Sequence, residues 1–290
     1  MQALRTLARK LLTEGTVQVV IGYENGPRGA RPTFVTSPEE ADRLVFTPQC
    51  VQNLASYLSP RRIHLSGLGK PAVVVKGCDA KAVAGLIRES QLRRENVVII
   101  GVRCGGVVRE PALGDPLSKD TVADRCGVCD NREPKLIDHL LGELPPVPPA
   151  STRMSEMMAR LEAMSHEERF AFWTEHMSRC LRCHACREVC PLCYCNRCLA
   201  DKTMPQWIES SAHPRGNLAW HFTHAMHLAG RCVGCGECQR VCPADIPLGL
   251  LNRKMAQIAA QRFGYKVCDD PQVPAPIGAF RKEDEQEFIR

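Results

Sequence analysis

Residues 180–198 read CLRCHACREVCPLCYCNRC, seven cysteines in nineteen positions. The first four follow C-x2-C-x2-C-x3-C-P, as Cys180, Cys183, Cys186 and Cys190-Pro191. The pattern returns as Cys232, Cys235, Cys238 and Cys242-Pro243, with 41 residues between the runs. A single zinc ion takes its thiolates in C-x2-C pairs. Three thiols at two-residue intervals instead wrap one corner of a larger inorganic centre, with the loop N–H groups aimed at it. Proline after the fourth cysteine turns the chain away and cannot donate. Gly234 and Gly236 give the second loop freedom to come close.

This spacing is similar to that of bacterial two-cluster ferredoxins, in which the fourth cysteine of each run serves the other cluster. The resemblance implies one 4Fe-4S cluster on Cys180, Cys183, Cys186 and Cys242, and a second on Cys232, Cys235, Cys238 and Cys190. Two zinc sites are the competing reading. Four thiolates leave a cluster anionic, and Arg179, Arg182, Arg187, Arg231 and Arg240 are spaced to offset that charge. The 41 residues between the runs carry little of the resemblance.

Cys193, Cys195 and Cys198 exceed the ferredoxin count. With Cys50, Cys268 or a histidine as fourth ligand they could form an additional metal site, iron–sulfur or zinc; otherwise they are free buried thiols. His213, His221, His224 and His227 either complete such a site or, as we favour, pack and hydrogen-bond beside a cluster. The last three fall at i, i+3 and i+6 of an expected helix.

The 290 residues include 17 cysteines, 44% hydrophobic residues and only 5% aromatics, with a net charge of +6. MQALRTLARKLLTEG has no signal-peptide pattern and reads as an amphipathic helix with Leu4, Leu7, Leu11 and Leu12 on one side. No run approaches the ~18 apolar residues of a membrane span. These features lead us to expect a cytoplasmic protein with thiols rather than disulfides, and no membrane insertion. The mild, mixed charge does not indicate nucleic-acid binding.

ELPPVPPA (143–150) reads as an extended linker. It divides the chain into an α/β domain at 1–144, a linker at 145–150, a mainly α dicluster ferredoxin-like domain at 151–268 and a tail at 269–290. In the first domain a helix is expected over about 2–13, followed by a strand in TVQVVIGY (16–23) and a turn in ENGPRGARP. A helix capped by Ser37 opens at 37–44. PAVVVKGC (71–78) is a buried strand, 79–96 a helix with Asp79 as cap, and VVIIGVRC (97–104) another strand. Short joints between strand, helix and strand imply a small parallel sheet. In the second domain Met154, Met157, Met158, Leu161 and Met164, then Phe170, Phe172, Trp173 and Met177, read as the packing faces of two helices. A helix over 252–264 closes on Gly264.

Cys78 and Cys104 fall at the C-terminal ends of two strands, where open α/β sheets place ligands. Cys126 and Cys129 add a C-x2-C pair. Here residues 8–140 resemble the beta subunit of deazaflavin-reducing hydrogenases and related formate dehydrogenases. The resemblance is carried by GTVQVVIGY, TSPEEADRLVFTPQCVQNLASYL and PAVVVKGCDAKAVAGLIRESQLRRENVVIIGVRCGGV. It implies a third 4Fe-4S cluster on Cys78, Cys104, Cys126 and Cys129. Many members also bind FAD. Flavin-using members carry a Ser-Gly-Gly-like element before the first strand, which MQALRTLARKLL lacks. The family's second domain is expected to be replaced here by the ferredoxin module.

The reading that follows is an iron–sulfur electron-transfer subunit with no assigned catalytic residue. Its partners would be other subunits of an anaerobic redox complex of hydrogenase, formate dehydrogenase or heterodisulfide-reductase-like type. A flavin-dependent reductase of a deazaflavin or nicotinamide carrier, and a zinc-stabilised scaffold, are the alternatives.

Overall fold

The computed structural model describes residues 1–290 except 62–66, 112–115, 144, 146–151, 210, 281, 284–286 and 288–290. Most of the proline-rich stretch, and most of the charged RKEDEQEFIR end, lie outside the described residues.

Helix α1 (Gln2–Thr13) buries Leu4, Ala8 and Leu11, spaced along one stripe at helical intervals. Strand β1 (Val19–Gly26) pairs antiparallel with β2 (Gly29–Val35) and parallel with β3 (Pro71–Val75). β4 (Val98–Val102) and β5 (His139–Leu141) extend the parallel part, giving the order β2-β1-β3-β4-β5. The sheet is therefore mixed rather than purely parallel. ENGPRGARP is not a long turn: β1 runs to Gly26 and a two-residue connection starts β2, with Gly29 at φ 92°. Val73, Val74, Ile99 and Ile100 are fully buried, as strands covered on both faces must be.

Two helical expectations needed correction. Residues 38–43 form a 3-10 helix, and Ser37 makes no side-chain cap. Glu40 turns instead to the Thr36 N–H and Arg43. Helix α2 spans Gly77–Arg88, not 79–96. Asp79 is not its cap but sits in the first turn, accepting the Lys76 N–H at 2.9 Å. The helix ends because Ser90 takes a positive φ of 57° and 94–96 turn separately.

Helix α3 (Asp124–Gly127) carries Cys126 on one turn before β5. The helical half begins with α4 (Arg153–Ala163) and α5 (His166–Ser178). Ser165 breaks them apart with a reciprocal cap: its Oγ accepts the Glu168 N–H at 3.2 Å, and its own N–H reaches the Glu168 carboxylate at 2.8 Å. Met154, Met158, Leu161, Trp173 and Met177 are buried with Trp220, Ile246 and Leu251. Phe170 is not: it is 62% exposed, beyond the edge of the face set by Trp173 and Met177. Short helices α6 (Ala185–Val189) and α8 (Glu237–Arg240) follow the two cysteine loops. Between them lies α7 (Pro214–His227), and α9 (Leu248–Phe263) closes on Gly264 at φ 61°.

The two halves interlock. Leu192 is buried in the α/β core beside Gly85, whose Cβ, if present, would lie 3.0 Å from Leu192 Cδ2. Arg231 forks onto Glu89 at the end of α2. After α9 the chain returns to the sheet domain. There Asp269 accepts from Asn131 Nδ2 at 3.1 Å and from the Lys135 N–H at 2.7 Å. Among the described residues no helix is long and apolar enough to cross a membrane.

Candidate metal centres

The two cysteine loops repeat in backbone as well as in sequence. Arg182 and His184 of the first run have φ 52° and 58°; Gly234 and Gly236, at the same places in the second, have φ 71° and 66°. Two left-handed residues flanking the middle cysteine curl each loop around its thiols. In the second loop glycine takes them without strain, whereas the first holds them with side chains. At Gly236 the lack of a Cβ also matters for packing, because Arg125 lies across it.

Cys180, Cys183, Cys186 and Cys242 line one recess, with Trp220, His221 and Ile246. Burial pushes Cys186 up to about 12, and Cys180, Cys242 and Cys183 add to the shift as like charges. The thiols of the second run are drawn together with Cys190. Burial and then Cys232, Cys235, Cys190 and Cys186 raise Cys238 well above the usual thiol range. Burial lifts Cys232 to about 11, and Cys190 contributes. The fourth cysteine of each run thus faces the other run's three. Cys190 and Cys232 pack against the α/β core, Cys180 and Cys242 against the helical core. The second-run site accordingly sits at the seam of the two halves.

The third site, called the third recess below, lies at the C-terminal ends of β3 and β4 and gathers Cys78, Cys104, Cys126 and Cys129. The Gly106 and Val107 N–H groups point at Cys104 and Cys126 Sγ, both at 3.4 Å. Gly77 lets the loop close: a Cβ there would stand 1.9 Å from the Asn131 carbonyl oxygen. Cys235 of the second run lines the same recess.

Thiols held like this fit a polynuclear cluster. Buried thiols such as Cys186, Cys232 and Cys238 resist ionisation, and metal coordination is what deprotonates such a thiol outright. Among the described residues no three Cys, His, Asp or Glu side chains converge as tightly as a single ion requires. A cubane spreads its ligands over four metal corners, so its cysteines stand further apart than around one zinc.

Sequence reading missed three cations at the third recess: Lys76, Arg125 and Arg132. Lys76 is buried, its Nζ 3.0 Å from Asp79 Oδ2 and 2.7 Å from the Gln52 carbonyl oxygen, and it also donates to Tyr23 Oη. Burial works against its charge, yet Asp79, Tyr23 and Cys78 hold its pKa well above the usual lysine value. The signal was a lysine ending a buried strand directly before Gly-Cys. Three of the five arginines near the runs meet carboxylates. Arg187 pairs with Asp201 and Glu188, Arg231 with Glu89, and Arg240 with Glu237, while Arg179 meets His176. Arg182 lines the first recess, its guanidinium over the Trp220 ring and its Nη1 donating to the Gly216 carbonyl oxygen at 3.2 Å.

Two of the three histidines of α7 sit beside thiols. His221 Nε2 lies 3.2 Å from Cys180 Sγ, and His224 Nε2 lies 3.1 Å from Cys193 Sγ. Burial depresses His221 to about 3 and His224 to about 4, so both rings are neutral. His213 caps α7, accepting the Arg215 N–H at 3.3 Å. The Cys193 N–H also donates to the Cys190 carbonyl oxygen at 3.3 Å. Cys195 is exposed and Cys198 packs on the helical core. Cys50 is buried in the sheet domain, its Sγ taking the Thr47 N–H, and Cys268 lies near Arg88 and Asp270.

The 4Fe-4S dicluster domain family matches residues 149–247, which enclose both runs. The chain is also 22% identical to the F420-dependent formate dehydrogenase subunit beta of Methanocaldococcus jannaschii, over 94% of this chain and 93% of that protein. It is 22% identical to the F420-dependent formate dehydrogenase 1 subunit beta of Methanococcus maripaludis, over 95% and 92%. Both alignments run through both halves. This chain carries a dicluster 4Fe-4S domain behind an α/β domain and resembles formate dehydrogenase beta subunits along nearly its whole length.

Proposed function

We propose that the chain is an iron–sulfur electron-transfer subunit that relays single electrons across a redox complex through three 4Fe-4S clusters in a row. The first would be held by Cys180, Cys183, Cys186 and Cys242, the second by Cys232, Cys235, Cys238 and Cys190, and the third by Cys78, Cys104, Cys126 and Cys129. Such clusters accept and release one electron at potentials set by their surroundings. The observation that carries this reading is continuity. Cys186 neighbours Cys238, and Cys235 lines the third recess. Each terminal site has one exposed cysteine, Cys183 at one end and Cys129 at the other.

The residues around the sites have distinct jobs. Backbone N–H groups at Cys104 and Cys126, and Asn252 Nδ2 at 3.5 Å from Cys238 Sγ, direct partial positive charge at the sulfurs. His221 does the same for Cys180. Trp220 and Ile246 keep water from one wall of the first recess. The relatives are beta subunits of formate dehydrogenases, so the partners we expect are the catalytic subunits of such a complex, in a reducing compartment.

The test is quantitation of iron, acid-labile sulfide, zinc and flavin on anaerobically purified protein. About twelve irons per chain, with equal sulfide, are expected for three cubanes. A protein rich in zinc and poor in sulfide would defeat the reading.

A further inference from the structure

The third recess and the second-run loop meet at one side chain, Arg125 on α3. It lines the recess with Cys78, Cys104, Cys126 and Cys235. Its stem crosses the second loop, where a Cβ on Gly236 would stand 2.7 Å from Arg125 Cδ. The side chain is only 14% exposed. Its Nη2 donates to the Val51 carbonyl oxygen at 3.3 Å and lies 3.8 Å from Glu237 Oε1.

That carboxylate is already engaged. Glu237 is fully buried and accepts from Arg240 Nε at 2.9 Å and Nη2 at 2.7 Å. One negative charge therefore answers two guanidiniums, and positive charge is left over between two groups of thiols. Burial opposes the Arg125 charge, but Glu237 first, then Cys126, Cys78 and Cys235, outweigh it.

The other cations of the recess lack this double position. Lys76 is matched by Asp79 one turn along the same helix. Arg132 reaches the Gly105 and Cys126 carbonyl oxygens, on the third-site side. Neither lies across the second loop as Arg125 does.

We propose that Arg125 is the shared counter-charge of the second-run and third clusters, a positioning residue that raises the reduction potential of both and leaves the first-run cluster unaffected. The proposal rests on reading these sites as 4Fe-4S sites. A cation close to an anionic cluster favours the state carrying one more electron, and surrounding charge is among the determinants of cluster potential. No bond forms or breaks in the transfer: one electron leaves one site and reaches the next. No proton moves at Arg125, because a guanidinium keeps its charge throughout.

The experiment is an EPR-monitored redox titration of the full, anaerobically purified chain, with iron and sulfide counted in every sample. Arg125→Gln is expected to lower the midpoints of two of the three signals and leave the third in place. Arg125→Lys should restore most of the difference. Glu237→Gln removes the competing carboxylate and should move the same two midpoints upward. If Arg125→Gln does not load fully, the upward shift in Glu237→Gln carries the test, and its absence overturns the proposal. Full iron in Arg125→Gln with unmoved midpoints, or an equal shift of all three, overturns the role of Arg125 alone. Wild-type protein without iron and sulfide instead defeats the cluster reading beneath it.

Discussion

Arg231 and Glu89 form a two-pronged ion pair across the seam, Nε to Oε1 at 2.7 Å and Nη2 to Oε2 at 2.5 Å. Arg231 stands directly before Cys232, and Glu89 ends α2, whose first turn carries Cys78. The same guanidinium reaches the Leu192 carbonyl oxygen at 3.1 Å, two residues past Cys190. Removing one partner of a buried pair leaves an unanswered charge and costs about 3–5 kcal/mol. Glu89→Ala should lower the unfolding midpoint in urea and speed hydrogen exchange in residues 190–194, with Glu89→Gln milder. Unchanged exchange there would mean that the seam does not depend on this pair.

The crossed ligand sets make a reciprocal prediction. Cys190→Ser should damage the cluster of Cys232, Cys235 and Cys238 and spare that of Cys180, Cys183 and Cys186; Cys242→Ser should do the reverse. EPR of the reduced variants reads which signal goes. The same signal vanishing in both would show that the fourth ligands are not exchanged.

On the cluster reading Cys180 is a thiolate, which can only accept, and the Nε2–H of His221, 3.2 Å from its Sγ, is then the donor. That bond favours the more negative, reduced state of the first-run cluster. His221→Leu should lower the midpoint of that cluster alone, and His221→Gln should recover part of it. A midpoint that stays put in the leucine variant would remove the histidine from this role.

Gly77→Ala should empty the third site selectively. Its methyl group would meet the Asn131 carbonyl oxygen at 1.9 Å, and the backbone that must give way is two residues from Cys129. Iron is expected to fall by about four per chain, one cubane, with both dicluster signals retained. Full iron content would show that the 129–131 loop can shift without losing its ligands.

Glu24 gives the sheet domain a pH dependence remote from the thiols. Burial pushes its pKa up, but Arg43 and Arg31 outweigh this and hold it below the usual carboxylate value. Below the unfolded value, about 4.3, the unfolded chain binds the proton first. Stability is therefore present above that pH and is lost as pH falls towards the depressed folded value. Glu24→Gln should flatten the acid limb of a stability profile followed by circular dichroism. Identical limbs would assign the acid sensitivity to other groups.

Much of this was legible in the chain, because the signals were local. The two C-x2-C-x2-C-x3-C-P runs state their ligand types through spacing alone. The strands around Val73 and Ile99 are continuous apolar runs, α9 is closed by Gly264, and the histidines of α7 fall one helical turn apart. Where the readings slipped, a partner distant in sequence had decided. Glycine and proline in ENGPRGARP mark a bend, but pairing with β1 makes a strand of residues 29–35. Asp79 has the composition of a cap, yet the helix starts two residues earlier, at Gly77, and Lys76 stands at the cap position. Phe170 has the right spacing and the wrong neighbours.

By itself the sequence determined which thiols belong together within each run, and the kind of centre that such spacing can hold. Only the tertiary structure decided the order of the sites, the seam position of the middle one, and the placing of Arg125 between it and the third. The reason is physical. Ligand spacing acts over a few bonds of backbone, whereas charge and distance between sites act through space, among residues more than a hundred positions apart that meet only when the two halves have packed.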